Sequence, residues 1–320
     1  MISLIMTVLN EKTTLPKWFE SISAQTVKPD EIVIVDGGST DGTWEYLREM
    51  TGIYSILKIF REPGNIAHGR NFAIKKSDGS VIAVADAGCV YGNKWFESIV
   101  KPFEKKEVTW SATGFGPWFE KGDGLLIYLI AASTIPAVGE FKRSWLPSSR
   151  SVAFRKDRWQ TADGYPEWIP FCEDVLFDNK LMTKEGLPYF IREPLALWRP
   201  RTKLSKYFKQ LFNYTRSEGH GFINTFRQIV RYVVYTASVL LLFLSFDKSS
   251  LFLVPLFIGS VVYLNKFWKR WFEFTVGKIA AFRLIGFFLT PMVVVLGDVA
   301  KMFGYLLGFV ERSLKIVSEK

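Results

Sequence analysis

Between Glu31 and Thr43 the chain reads E-I-V-I-V-D-G-G-S-T-D-G-T. Four β-branched apolar residues, Ile32 to Val35, run without polar interruption, the pattern of a central parallel strand buried on both faces. The run stops at a carboxylate, Asp36. Gly37 and Gly38 follow, able to take backbone angles closed to other residues, then Ser39, Thr40 and Asp41 as caps for a helix carrying Trp44, Tyr46 and Leu47. Strand, tight acidic turn and helix make half of a βαβ unit. In open α/β sheets ligands sit outside the carboxyl ends of the strands, so Asp36 is either a ligand-facing carboxylate or a cap for its own helix.

The neighbouring segments repeat the pattern. Ser3 to Leu9 is an apolar run ending in Asn10-Glu11, followed by a helix with Leu15, Trp18, Phe19 and Ile22 at helical spacing. Met1 to Asn10 has no basic region before its apolar run, so it reads as a first strand and not a secretory signal. Tyr54 to Phe60 is a third strand, Ile66 to Lys76 a helix with Arg70 and Asn71, and Val81 to Ala85 a fourth strand ending at Asp86. Alternating strands and helices predict a parallel sheet covered on both faces, with two carboxylates delivered to one edge. A helix over Lys94 to Phe103 follows. Trp110 to Gly124, rich in aromatics, Gly and Pro, reads as a ligand-facing loop or mixed strands. Leu125 to Val138 is apolar but too short to span a bilayer, which predicts a core or interface helix. Ser148 to Arg155 reads as a strand, and Glu173-Asp174 opens a helix with Leu176, Phe177 and Leu181. Acids in a first helical turn also serve the helix dipole.

The character changes after residue 202. Lys203 to Phe222 places Leu204, Tyr207, Phe208, Leu211 and Phe212 at helical spacing among Lys203, Lys206, Lys209 and Arg216, which predicts a basic amphipathic helix in the membrane interface, the alternative being a surface helix packed on its own domain. Val230 to Phe246 and Leu251 to Leu264, joined by Asp247 to Ser250, read as a helical hairpin. The second is short: some fourteen residues at ~1.5 Å each fall below a ~30 Å hydrocarbon layer unless the flanks help. Ile279 to Val310 is a third apolar segment, spanning or partly interfacial, interrupted by Arg283, Asp298 and Lys301. Lys266, Lys269, Arg270 and Lys278 between the second and third segments put the amino-terminal domain on the cytoplasmic side by the positive-inside rule. The 320 residues carry a formal net charge of +10, and 48% are hydrophobic. Basic and apolar together point to anionic membrane lipids; no recognisable nucleic-acid module is present. The two cysteines, Cys89 and Cys172, have neither disulfide-framework nor metal spacing, and neither His68 nor His220 has a partner at metal or dyad spacing.

Asn10-Glu11, Asp36, Arg70, Asp86 and Glu173-Asp174 in this order resemble the family 2 glycosyltransferases, inverting enzymes of the GT-A fold that use nucleotide-activated sugars. The family's P-T-Y-N-E stands here as M-T-V-L-N-E, its V-D-D-G-S-T-D-G-T as V-D-G-G-S-T-D-G-T, and its N-x-G-x-x-x-A-R-N helix as Asn65 to Asn71. The resemblance covers Met1 to about Phe222. It implies a Rossmann-like α/β domain with a mostly parallel central sheet over residues 1–202, divided into a nucleotide-sugar half (1–105) and an acceptor half (106–202). An amphipathic helix (203–228) and a membrane domain with two or three transmembrane helices (229–320) would complete the chain.

By that resemblance Thr7, Asn10, Glu11, Asp36 and Gly38 hold the nucleotide of a UDP- or GDP-sugar, with Arg70, Asp86, Ala87 and Gly88 along the rest of the donor. Asp86-Ala87-Gly88 occupies the place of the family's D-x-D, where acids ligate Mg²⁺ or Mn²⁺; with Gly88 in place of the second acid, Asp86 alone is left to meet a metal. One carboxylate with diphosphate oxygens and waters can still hold such an ion; if it is weakly held, Arg70, Arg199, Arg201 or Lys203 would neutralise the departing diphosphate, and for Arg199 and Arg201 lipid head groups are the competing partner. Asp174 is the expected general base and Glu173 its positioning partner. Ser148 to Arg155, Ser149 and Arg150 among them, would form the wall between donor and acceptor, and Tyr214 to Gly219, with Tyr214 and Arg216, resembles the segment that closes over the donor in membrane-bound members. The expected activity is transfer of a sugar to a lipid-linked or membrane-proximal glycan. The alternatives are a non-catalytic nucleotide-sugar-binding scaffold and a nucleotidyltransferase, the latter disfavoured because Thr7 to Lys12 lacks a Gly-rich phosphate loop.

Overall fold

The computed structural model describes residues 1–140 and 147–317, so parts of the expected acceptor half (141–146) and membrane segment (318–320) lie outside the described residues. In chain order the elements are β1 (Ile2–Val8), α1 (Leu15–Ser23), β2 (Glu31–Asp36), α2 (Thr43–Thr51), β3 (Leu57–Arg61), α3 (Ile66–Lys76), β4 (Val81–Asp86), β5 (Cys89–Tyr91), α4 (Trp95–Val100) and β6 (Trp110–Pro117). They continue with α5 (Leu125–Thr134), β7 (Ser151–Arg155), α6 (Lys156–Thr161), α7 (Glu173–Glu185) and β8 (Tyr189–Trp198). Four long helices close the chain: α8 (Leu204–His220), α9 (Thr225–Asp247), α10 (Leu253–Phe274) and α11 (Ala280–Ser313). They form two units, Met1–Phe119 with Val138–Arg199, and Glu120–Ala137 with Pro200–Lys320. Residues 120–137, which the expected boundaries put with the first unit, group with the second.

The first unit is built on one sheet of order β3-β2-β1-β4-β7-β6-β8-β5. β3, β2, β1 and β4 are parallel; β7 is antiparallel to β4 and β6, β8 is parallel to β6, and β5 is antiparallel to β8. Six strands therefore share one direction. β1 alternates between two cores: Leu4, Met6 and Val8 pack with Leu15, Trp18 and Trp95 on one face, while Ile5 packs with Ala73, Ile74 and Phe177 on the other. Every residue of β2 is buried, as an uninterrupted apolar run requires of a doubly covered strand. The stretch 110–124 resolves into β6 and the start of the second unit. β8 and the short β5 carry no alternation strong enough to have marked them in the sequence.

Among the described residues of the second unit, three helices are long and apolar enough to cross a membrane, Thr225–Asp247, Ser250–Phe274 and Ala280–Ser313. The second segment gains its length from its flank: α10 carries its helix through Lys266, Lys269 and Arg270 to Phe274, and its 22 residues reach ~33 Å. These three charges sit on the helix and not in a loop. Phe246, Phe257 and Phe226 are more than two-thirds exposed, a surface suited to lipid.

The helices of this unit meet through small residues and satisfied polar groups. Pro291 removes the backbone donor that Phe287 would have had in α11, and Trp268 Nε1 donates to the Phe287 carbonyl at 3.0 Å instead. Cβ atoms built on Gly304 and Gly308 would lie 2.3 Å from the Phe212 carbonyl oxygen and 1.9 Å from that of Arg216, so α8 and α11 touch backbone to backbone. Asp298 on α11 is fully buried and accepts from Tyr235 at 3.0 Å and from Tyr263, while Arg231 lies 3.3 Å and Lys301 3.2 Å away. One carboxylate thus ties α9, α10 and α11.

Candidate active site

Strand register assembles the site. Val8 pairs with Asp36 and Thr7 with Asp86, so the carboxyl ends of β2, β1 and β4 present these four residues in a row. The loops that follow β1 and β2 are interlocked. Gly37 N–H donates to the Val8 carbonyl at 2.9 Å, Asn10 N–H to Ser39 Oγ at 2.8 Å, Thr40 N–H to Asn10 Oδ1 at 2.9 Å, and Glu11 N–H to Thr43 Oγ1 at 2.9 Å. Gly38 turns the chain at φ +103°, and Asn10 stands at φ 57°, one of the few non-glycine types that tolerates that region. The two readings of Asp36 divide between its oxygens. Oδ1 takes the Ser39 N–H at 2.9 Å and the Gly38 N–H at 3.3 Å as a turn cap, whereas Oδ2 is buried without a hydrogen bond, 3.6 Å from Arg61 Nε.

Arg70 is the buried junction of the carboxylates. Gly69 has no Cβ to strike Thr7 Cγ2, which would lie 2.8 Å from one, and so α3 settles against β1 with Asn65 capping it through the His68 N–H. From there Arg70 donates to Asp86 Oδ1 at 2.8 Å and to Glu173, its guanidinium carbon 5.4 Å from the centre of the Tyr165 ring. Only 2% of Arg70 is exposed, so it acts as a strut between carboxylates and not as a free cation. Burial opposes its charge, but Asp86 and Glu173 outweigh burial and hold it protonated. Burial also pushes the Glu173 carboxyl up to about 7, against the pull of Arg70.

Asp174 is half-buried at the start of α7, and its Oδ2 accepts from Ser148 Oγ at 3.3 Å and from the Ser149 N–H at 3.4 Å. Ser149 is fully buried, its hydroxyl 2.9 Å from that of Tyr165. One turn along α7, Asp178 is fully buried with neither oxygen hydrogen-bonded, and burial followed by Asp174 drives its carboxyl well above the usual carboxylate range. A carboxylate beside a hydroxyl-lined wall, with acids on the neighbouring strand end, can accept a proton from an incoming hydroxyl.

Most of the remaining expected residues have partners of their own. Ala87 is buried and Gly88 accepts from the Arg199 N–H at 3.3 Å, while Arg199 Nη1 donates to the Trp118 carbonyl at 3.3 Å. Arg201, Tyr214 and Arg216 belong to the second unit. There Arg201 is exposed, Tyr214 accepts from Gln210 at 3.1 Å, and Arg216 pairs with Glu311 at 2.8 and 2.5 Å. Arg216 is therefore engaged by a carboxylate. His68 bridges Glu167 at 2.8 Å and Glu62 at 3.2 Å, and His220 meets Glu311 at 2.7 Å. Two residues gained places here that no motif marks, Arg61 beside Asp36 and Asp178 in α7. Strand pairing and helix phase decide their positions, and neither is written in local sequence.

The donor set near Asp86 is a poor match for a hard cation. No three His, Cys, Asp or Glu residues gather at a metal-holding spacing among the described residues. Asp86 has Arg70 on one oxygen and Arg150 Nε 3.8 Å from the other, so its charge is already shared by two guanidiniums.

Sheet order, strand-end acids and the Arg70 strut define a GT-A domain. Residues 3–161 match the family model for glycosyl transferase family 2, and the chain belongs to that family. Among relatives, the glycosyltransferase AglE of Haloferax volcanii is 34% identical over 101 residues, covering 30% of this chain and 33% of that protein. WfaP of Escherichia coli, a UDP-Glc:α-D-GlcNAc-diphosphoundecaprenol β-1,3-glucosyltransferase, is 28% identical over 198 residues, covering 62% and 68%. The chain thus spans a third of one relative and two-thirds of the other. Among solved structures, the mannosyltransferase PcManGT of Pyrobaculum calidifontis, in complex with GDP-Man and Mn²⁺, superposes with a TM-score of 0.62 at 16% identity, covering 94% of this chain and 87% of that one. The fold is shared.

Proposed function

We propose that this protein is a membrane-anchored inverting glycosyltransferase. It moves a sugar from a UDP- or GDP-sugar to a lipid-linked or membrane-proximal glycan by a single displacement. The observation that carries this reading is that Arg70 pairs with both Asp86 and Glu173 at the carboxyl end of the sheet, with Asp174 next to Glu173 at the start of α7. In this reading Thr7, Asn10, Glu11, Asp36 and Gly38 hold the nucleotide, the unbonded Asp36 Oδ2 accepting an N–H or O–H from base or ribose. The acceptor oxygen attacks the anomeric carbon, the bond from that carbon to the diphosphate oxygen breaks with its electron pair passing to the phosphate, and the acceptor proton passes to Asp174. Glu173, fixed by Arg70, and Ser149 fix the place of Asp174. The divalent ion that the resemblance implies meets one shared carboxylate here, and no step depends on it.

The anchor would be α9 to α11, with the basic helix α8 against anionic lipids and the first unit on the cytoplasmic side. WfaP, named for a diphosphoundecaprenol acceptor, supports a lipid-linked acceptor class. Incubating the full chain with UDP- and GDP-sugars and a membrane lipid extract tests the reading through sugar transfer and nucleotide release. Asp174→Asn is expected to lower turnover by at least about a hundredfold while nucleotide binding persists. Normal turnover in that variant would remove Asp174 from the base role.

A further inference from the structure

From the end of α6 to Glu173 and Asp174 at the start of α7, residues 163–172 run without helix or strand. So irregular a stretch stays in place only through what its polar groups bind. We propose that Glu167 and His68 are positioning residues for sugar transfer, clamping this stretch to α3 so that Asp174 stands where the acceptor hydroxyl loses its proton. This rests on the glycosyltransferase reading and names a control on its base.

Successive turns of α3 take hold of the stretch. Asn71 Oδ1 accepts the Tyr165 N–H at 2.9 Å, and its Nδ2 donates to the Tyr165 carbonyl and to Glu167 Oε1, both at 2.8 Å. Asn65, the helix cap, donates to the Glu167 carbonyl at 2.5 Å. With His68 on Oε2, all three oxygens of Glu167 are taken by one helix. The stretch begins close against the same helix, where Asp163 and Gly164 turn the chain at φ 61° and 62° and a Cβ on Gly164 would lie 2.9 Å from Asn71 Oδ1. It ends at Glu173, which Arg70 of α3 holds.

His68 makes the clamp depend on charge. Its Nδ1 lies 2.8 Å from Glu167 Oε2 and its Nε2 3.2 Å from Glu62 Oε1, in the loop after β3, where Gly64 lies against the ring. A neutral imidazole carries a single N–H, so only the imidazolium satisfies both carboxylates. Hydrogen bonds to Glu167 and then Glu62 raise the His68 pKa, against burial. Burial opposes the charge on Glu167, but Asn71 and His68 outweigh it, with Lys75 of α3 adding to the hold. When the ring loses its proton, a lone pair faces one of the two carboxylates and the stretch loosens. Asp174 follows directly, and a misplacement of about 1 Å can cost on the order of a hundredfold in rate. Turnover therefore rises with pH as the base ionises and falls again as His68 is discharged.

The test combines a titration with kinetics on the full chain in detergent. Only two histidines are present, so NMR of isotope-labelled histidine resolves the His68 ring, assigned by its loss in His68→Gln. That ring is expected to titrate above the usual ~6.5, and about half a pH unit lower in Glu167→Gln, which keeps an oxygen for Asn71 but no charge. In sugar transfer with whichever UDP- or GDP-sugar the wild type uses, Glu167→Ala should lower kcat about tenfold or more with the donor KM unchanged within about twofold. Glu167→Gln should recover part of the kcat, which guards against a folding defect. His68→Gln should lose the wild-type fall in turnover above about pH 6.5. A His68 ring indifferent to Glu167→Gln overturns the proposal. So does a Glu167→Ala variant whose kcat is unchanged or whose KM moves as far as its kcat, or a His68→Gln variant that keeps the alkaline fall. If Glu167→Ala does not fold, Glu167→Gln and His68→Gln carry the same readings. The titration needs no sugar and so separates two failures. A coupled ring in a chain that transfers from no donor brings down the glycosyltransferase reading and the positioning role with it, whereas transfer with an uncoupled ring brings down this inference alone.

Discussion

Asp178 shows how burial alone can set the chemistry of a residue. A carboxyl with no hydrogen-bond partner in a fully buried position stays protonated, since ionising it there would cost more than the neutral form. Its folded pKa lies above the unfolded one, so the folded state binds a proton that the unfolded state has lost. Stability contributed this way is present below the usual carboxylate range and fades as pH rises through it. Glu173 acts in the same sense between about 4.5 and about 7. His68, raised because its ring donates hydrogen bonds to Glu167 and then Glu62, gives up its contribution as pH rises above about 6.5. Thermal unfolding of the wild type is therefore expected at a lower midpoint at pH 8 than at pH 5.5. Asp178→Asn should stabilise by on the order of 1 kcal/mol at neutral pH and by less in acid. A variant less stable than wild type at both pH values would show that Asp178 has a partner worth more than its burial costs. The sequence places Asp178 on a helix, but only the packing of α7 against Tyr165, which stacks on Phe177 beside it, makes it a core residue.

Among the elements, α8 and α11 depend on glycine for their approach. Any side chain at Gly308 must displace the Arg216 carbonyl, and both partners are backbone, so neither can swing aside. Gly308→Ala is expected to cost about 1–3 kcal/mol, seen as a lowered melting midpoint in detergent, whereas Ala at the open Gly259 should be close to neutral. Trp268→Phe removes the donor that Pro291 made necessary and leaves the Phe287 carbonyl unpaired where water is scarce, again about 1–3 kcal/mol. The strand-end acids were legible because each follows an apolar run: Asp36 and Asp86 could be placed from order alone. β8 was not legible, because its buried and half-buried residues follow no two-residue period. β5, three residues long, is too short to carry any period.

At the scale of the molecule, a soluble-type α/β unit and a helical unit with lipid-suited surfaces share one chain. The membrane reading predicts that the full chain stays in the membrane fraction through high-salt and alkaline washes and is released by detergent. Release by salt alone would mean that α9 to α11 do not span. Within the helical unit, Asp298→Ala would leave Arg231 and Lys301 uncompensated, a loss of about 3–5 kcal/mol that a melting experiment in detergent would register.

Local sequence by itself determined what depends on short-range pattern: the buried β2 run, the acids and glycines at its end, the family motifs, and the apolar length of the last helices. These follow from side-chain period and backbone freedom, which are properties of a few consecutive residues. The tertiary structure decided what depends on pairing between distant segments. It brought Asp86 and Glu173 to the same guanidinium, turned one oxygen of Asp36 into its own turn, joined residues 120–137 to the helical unit, and set Arg150 opposite Asp86. A one-residue change in the register of β7 against β4 would move Arg150 away from Asp86, and no local pattern in Ser148 to Arg155 encodes which register wins.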